Sequence, residues 1–163
     1  SPVTGVQTCA LPICIWATVE LTVGGKTDDL HGKPLTETFT IRGLYDGKFY
    51  EPEVRHGGFT HGDQGPTAVV ETSSGLTVML TTERMPPFSS QQLKSCELDP
   101  RSFHAIVAKG VNLPIASYGE ICPHFVHVNT AGVTTADMRN LTFQHRRRPM
   151  LPFEPDTSWD KRR

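Results

Sequence analysis

The sequence contains no run approaching the roughly 18 consecutive apolar residues of a membrane span, so it encodes no transmembrane helix. It lacks an excess of either charge: 16 Lys and Arg stand against 17 Asp and Glu, a net charge of −1. A dedicated nucleic-acid binder carries a clear basic surplus, which sets that class back. There is no C-x-x-C pair, which argues against a zinc knuckle. With Cys9 set aside, the odd set Cys14, Cys96 and Cys122 argues against a disulfide framework. Buried thiols in a reducing compartment, the cytoplasm, are the expected state. No G-x-S-x-G elbow and no G-x-x-x-x-G-K-[ST] loop occurs, so neither an α/β-hydrolase nucleophile nor a P-loop can be assigned. No internal repeat and no long linker divides the 163 residues, and one domain is expected.

What is plentiful is punctuation. Gly occurs 14 times and Pro 13 times, which favours short strands and turns over long helices. A chain of about 150 residues buries roughly 68–70% of its unfolded surface, so no disulfide scaffold is needed. The segment Val3–Ile13 resembles the in-frame translation of a common short-read sequencing adapter. It has no basic n-region and no A-x-A-like site, so it does not read as a secretory signal. Residues 1–13 are therefore expected to lie outside the native domain, to pack poorly, and to stand where native sequence has been lost. The expected divisions are 1–13, a domain over 14–156, and a basic tail over 157–163.

Trp16–Val23 alternates apolar and polar residues and ends at Gly24-Gly25, a half-buried strand and turn. Leu35–Leu44 repeats the period of two with Phe39 and Ile41 on one face. Asp46-Gly47 predicts a hairpin into Phe49-Tyr50. Thr67–Thr72 and Leu76–Thr81 form two more strands around Ser73-Ser74-Gly75. The second half mixes elements: a short helix after Ser89 through Gln91–Leu93, a buried strand Phe103–Ala108, an amphipathic helix over Pro114–Cys122, a strand Phe125–Val128, and one or two helical turns ending at Leu141, capped by Thr134 or Thr135. The sum is an α+β domain, mainly antiparallel β in its first half, with short helices and strands in its second. Trp16, Phe49, Phe59 and Phe88 lie beside turns, where a compact core does not readily take them all; an exposed apolar patch is expected.

Two segments carry candidate chemistry. His56, His61 and Asp63 sit in a glycine-rich loop, and two imidazoles with a carboxylate suffice for an open zinc site; the same glycines equally suit a tight turn between strands. Lys109, Gly110 and Asn112 lie between a strand and a helix, where a lysine, a close-approach glycine and backbone N–H groups suit a carboxylate or phosphate; the alternative is a connecting turn. The remaining histidines are scattered, and His127 is expected to face outward between the core residues Val126 and Val128. Arg146–Arg148 and Lys161–Arg163 leave the last nineteen residues at +3 and the rest at −4. Such a tail suits an acidic or nucleic-acid partner, or clamps onto its own body, and it lacks the aromatic interleaving of single-strand binders.

Several segments fall in a recognisable order: Gly65-Pro-Thr-Ala-Val-Val70, Thr81-Thr-Glu-Arg-Met-Pro-Pro-Phe88, Ala108-Lys-Gly-Val111, Val128–Asp137 and Arg147-Arg-Pro-Met-Leu-Pro-Phe-Glu154. Together they resemble the C-terminal domain of the microcystinase C (MlrC-type) metallopeptidase family, from about Ala17 to Asp156. The resemblance implies zinc in the full-length enzyme, held by aspartate and histidine of a larger N-terminal catalytic domain, with none bound by this portion. It also implies that this domain packs on that partner, helps shape a cleft for a peptide-like substrate, and is inactive alone. Lys109 matches a lysine common in the family, whereas Gly110 and Leu113-Pro114 replace the serine and the His-Phe pair of many members.

Overall fold

Alternation of apolar and polar side chains becomes strand wherever a neighbouring strand lies within reach. The computed structural model describes residues 14–26, 29, 32–55, 57–110, 112–130 and 137–158. The chain divides into two compact units, Ser1–Phe125 and Val126–Arg163. The architecture is α+β and mainly β. The strands are β1 (Thr18–Val23), β2 (Leu35–Tyr45), β3 (Lys48–Tyr50), β4 (His61–Asp63), β5 (Thr67–Thr72) and β6 (Thr77–Thr81), followed by the short helices α1 (Gln91–Lys94) and α2 (Ile115–Tyr118).

One sheet has the order β1-β2-β5-β6 and the other pairs β3 with β4; every pairing is antiparallel. In β1 the alternating sequence gives alternating exposure, with Val19, Leu21 and Val23 half-buried. These pack with Val78 and Leu80 around Phe39, Ile41 and Val70, which are 3% exposed or less. Full burial of such a side chain contributes about 1.5–3 kcal/mol, so this cluster pins the register of β2 against β5. The register slips between Ile41 and Gly43, leaving Arg42 as the extra residue of a bulge. Its Nε donates to Glu71 Oε2 at 2.6 Å, and its guanidinium lies 4.6 Å from the Trp16 ring centroid.

The predicted hairpin from β2 into β3 does not form. Asp46-Gly47 does turn the chain, with Gly47 at φ +80°, but β5 occupies the β2 edge and β3 pairs with β4 instead. The turn therefore carries the chain from one sheet to the other. A Cβ on Gly47 would stand 1.8 Å from the Gly65 carbonyl oxygen, so two glycine turns touch where the sheets meet. Across β3 and β4, Phe49 faces Gly62, and its ring fills the space a Gly62 side chain would need. Phe49, Phe59 and Phe88 gather with centroids 5.3–6.5 Å apart. Phe49 and Phe88 are buried, while Trp16 and Phe59 stay exposed, so the core indeed takes only part of that set.

Three further expectations are corrected. Phe103–Ala108 is not a buried strand: it pairs with no strand among the described residues and Val107 is 96% exposed. Among the described residues Phe125–Val128 likewise pairs with no strand, and Val126 and Val128 are exposed rather than core. A β-prone sequence becomes a strand only where a partner offers its hydrogen-bonding edge. The expected helix over 114–122 shrinks to α2, with Ser117 and Tyr118 buried and Ile115 exposed.

In the second unit, a 3-10 turn Met138–Asn140 starts at Asp137, whose carboxylate accepts from the Arg139 amide at 3.2 Å. The predicted caps Thr134 and Thr135 lie outside the described residues, as does the segment 1–13. Arg146 forms a two-pronged pair with Glu154 at 2.7 and 2.5 Å and lies 4.5 Å from the Phe153 ring centroid. This pair is local, joining residues eight apart within the second unit. Lys161–Arg163 lie outside the described residues. No described helix is long and apolar enough to cross a membrane.

Candidate functional site

The densest polar arrangement lies beside β3 in the first unit. Gln92 on α1 reaches back so that its Oε1 accepts from the amides of Phe88 and Ser89, both at 3.1 Å. Its Nε2 donates to Gln64 Oε1 and to the Pro86 carbonyl, both at 3.3 Å. Ser89 Oγ donates to Glu51 Oε2 at 2.5 Å and accepts from the Gln91 amide at 3.0 Å. The cap position falls on Ser90, which makes no side-chain cap hydrogen bond, so Ser89 stands one residue ahead of the expected place and its Oγ holds the first helical amide. Ser117 Oγ on α2 accepts from the Ser90 amide at 2.8 Å, which ties the two helices together. Tyr118 donates to the Ser89 carbonyl at 3.4 Å. Burial, with the neighbouring Cys122 second, pushes the Tyr118 hydroxyl up to about 12, so it stays a donor.

Above this network opens a cleft with Glu51, Glu53, Arg55, Lys94, Arg101 and Glu120 in its walls. Arg55 spans it to Glu120 at 3.0 Å. Three acids facing three bases suit a polar or zwitterionic surface and favour no single-sign ligand. The Ser89–Glu51 pair is not a nucleophile and base in waiting, because Ser89 is 0% exposed and no substrate carbonyl reaches its oxygen. Among the described residues every buried side-chain N or O has a hydrogen-bond partner. The network is a support for the helices.

The sequence-predicted residues are placed as follows. Lys109 is exposed, and Gly110 turns the chain through an N–H bond to the Ala108 carbonyl at 3.1 Å. The Asn112 carbonyl accepts from the Ile115 amide at 3.2 Å, opening α2. The loop does enter a helix as expected, but α2 has only four residues, too few to sum an appreciable macrodipole. His61 and Asp63 share the exposed face of β4. Both are already engaged locally: His61 Nδ1 meets Thr60 Oγ1 at 3.0 Å, and Asp63 Oδ1 accepts from the Gly65 amide at 2.8 Å. His56 lies outside the described residues. Among the described residues no three His, Cys, Asp or Glu gather as a metal-ligand set.

Sequence reasoning missed the Glu51–Ser89–Gln92–Gln64 network. The one available signal was the run Phe88-Ser-Ser-Gln-Gln92, dense in hydrogen-bonding side chains immediately after an apolar stretch.

With this geometry in hand, comparison with known proteins decides the family. Residues 13–145 match the family model described as the MlrC C-terminus. The chain belongs to the MlrC C-terminal family. It is also similar to the crystal structure of a "Putative metallopeptidase" from Mesorhizobium sp. BNC1, with a TM-score of 0.73 and 27% identity over 89% of this chain. That match covers 28% of the Mesorhizobium chain, so the MlrC C-terminal portion spans little more than a quarter of its solved relative. No curated protein matches the chain.

Proposed function

We propose that this MlrC C-terminal domain is an accessory domain of a zinc-dependent peptidase or amidohydrolase, packing on a separate catalytic domain and inactive alone. The observation that carries this reading is the length relationship: a solved relative described as a metallopeptidase contains this fold as 28% of its chain. Lys109, Gly110 and Asn112 then serve as a rim of the peptide-substrate cleft. The thiols of Cys96 and Cys122, both outside any disulfide, support a reducing, cytoplasmic setting.

The test is metal analysis and peptidase assay of the purified chain. The expected result is substoichiometric zinc and no turnover above buffer with or without added zinc. One tightly bound zinc per chain, lost in His61→Ala, would overturn the reading in favour of a free-standing metalloenzyme built on His56, His61 and Asp63. Salt-sensitive binding to RNA, abolished by deleting residues 146–163, would instead favour a nucleic-acid module acting through the basic tail.

A further inference from the structure

The segment Phe103–Ala108 is written as a strand and has no partner strand among the described residues. Its sequence is Phe-His-Ala-Ile-Val-Ala, apolar and partly β-branched, the composition that favours a sheet. Among the described residues no backbone hydrogen bond engages residues 103–107. Phe103 and Ile106 are half-buried, while Val107 is 96% exposed. Natural domains blunt such an open row of N–H and C=O groups with charge, proline or cover; residues 103–108 contain neither a Lys, Arg, Asp or Glu nor a proline.

The segment is nevertheless held at both ends. Before it, a 3-10 turn Pro100–Ser102 is capped by the Asp99 carboxylate, which accepts from the Arg101 amide at 3.0 Å, and Pro100 is buried. After it, the Gly110 turn leads into α2, anchored by buried Tyr118. A strand tethered at both ends loses less freedom on pairing than a loose one.

We propose that Phe103–Ala108 is a pairing edge that adds, by β-strand addition, to a sheet in the part of an MlrC-like protein outside this chain. The proposal rests on the accessory-domain reading and assigns it a surface. Two observations favour that occupant over a second copy. The segment lies inside the 13–145 family match, and most of the similar Mesorhizobium chain lies outside the region matched. A two-fold antiparallel pairing of 103–108 with itself would also set Lys109 of each copy beside Ser102 and next to Arg101 of the other. Like charges placed so close across a ladder are unfavourable. Neither Arg101 nor Lys109 has an ion-pair partner among the described residues, so the fitting edge carries acidic side chains near the ends of its strand.

Hydrogen exchange read by mass spectrometry tests this in two proteins. In the present chain, amides 104–108 are expected to exchange without protection while those of Val69 and Val70 are protected. In the full-length Mesorhizobium protein, the aligned segment is expected to exchange about 100-fold more slowly than in this chain. Cross-linking of that full-length protein reports separately whether the matched region docks on the remainder. Cross-links with an unprotected aligned segment would overturn the strand proposal and leave the accessory-domain reading standing. Absence of any cross-link between the two parts would overturn both. Protection of 104–108 in this chain that grows with concentration would assign the edge to a second copy and overturn the stated occupant.

Discussion

Ser89 Oγ donates to Glu51 Oε2 at 2.5 Å, joining two side chains that are 0% and 3% exposed and 38 residues apart in sequence. The contact fastens the start of α1 to the end of β3, and Gln91 draws on the same hydroxyl. Leaving a buried polar group without its partner costs about 1–3 kcal/mol. Ser89→Ala is therefore expected to lower stability by about that amount, read as a lower urea midpoint. Tyr118→Phe removes only a 3.4 Å contact and is expected to cost less than half as much. Equal effects of the two substitutions would show that the Glu51 contact is not what fastens the helix.

Gly47 and Gly75 separate two costs of a left-handed backbone. Both have positive φ, +80° and +86°, but a Cβ at Gly47 would meet the Gly65 carbonyl oxygen at 1.8 Å, whereas nothing lies within 4 Å of one at Gly75. Gly75→Ala pays the conformational term alone, about 1–2 kcal/mol. Gly47→Ala adds a clash with backbone that no rotamer relieves, and is expected to leave no cooperative thermal transition. A Gly47→Ala protein melting within a few degrees of Gly75→Ala would refute the close approach of the two turns.

Sheet-forming residues were legible where alternation runs over several residues, whereas the three-residue β4, read as part of a glycine-rich loop, and its pairing with β3 were not. The alternation in Trp16–Val23 and Leu35–Leu44 became β1 and β2, and Thr67–Thr72 was placed with its observed bounds, because apolar spacing and the Ser73–Gly75 turn act locally. Phe103–Ala108 and Phe125–Val128 read the same way and failed. Periodicity records which residues favour a partner strand and says nothing of whether the chain supplies one. The polar network was illegible for another reason. Glu51, Gln64, Ser89 and Gln92 have no shared period, and their contacts span 28 and 38 residues. Lys109 and Gly110 were rightly placed ahead of a helix, since Pro114 marks its start, but its length of four residues was not visible.

Cys96 and Cys122 are expected to differ in reactivity. Cys96 is 1% exposed, and burial, the larger influence, raises its thiol against a smaller lowering by Ser95. Cys122 is half-buried. Because the thiolate is the attacking species, iodoacetamide should modify Cys122 at least about tenfold faster at pH 8. Site-resolved mass spectrometry reads both rates, and the difference should vanish in urea. Comparable rates in native buffer would contradict the packing around Cys96.

Glu154 supplies the pH dependence of the second unit. Its hydrogen bonds from the Arg146 guanidinium, then from the Met150 amide, lower its carboxyl from the ordinary 4.5 to about 2. A depressed carboxyl stabilises the folded form fully above its unfolded value and loses that contribution as the folded value is crossed from above. The clamp is thus intact at neutral pH and weakens between about pH 4.5 and about pH 2. Carbon-13 NMR of the Glu154 carboxyl should show a midpoint near the lower limit, and Arg146→Ala should move it up toward the ordinary value. Exchange of the Met150 amide should quicken over the same acid window relative to the intrinsic rate, since its acceptor is the carboxyl being protonated. A wild-type midpoint near 4.5, unmoved by Arg146→Ala, would mean that the Arg146–Glu154 pair does not hold this segment together in solution.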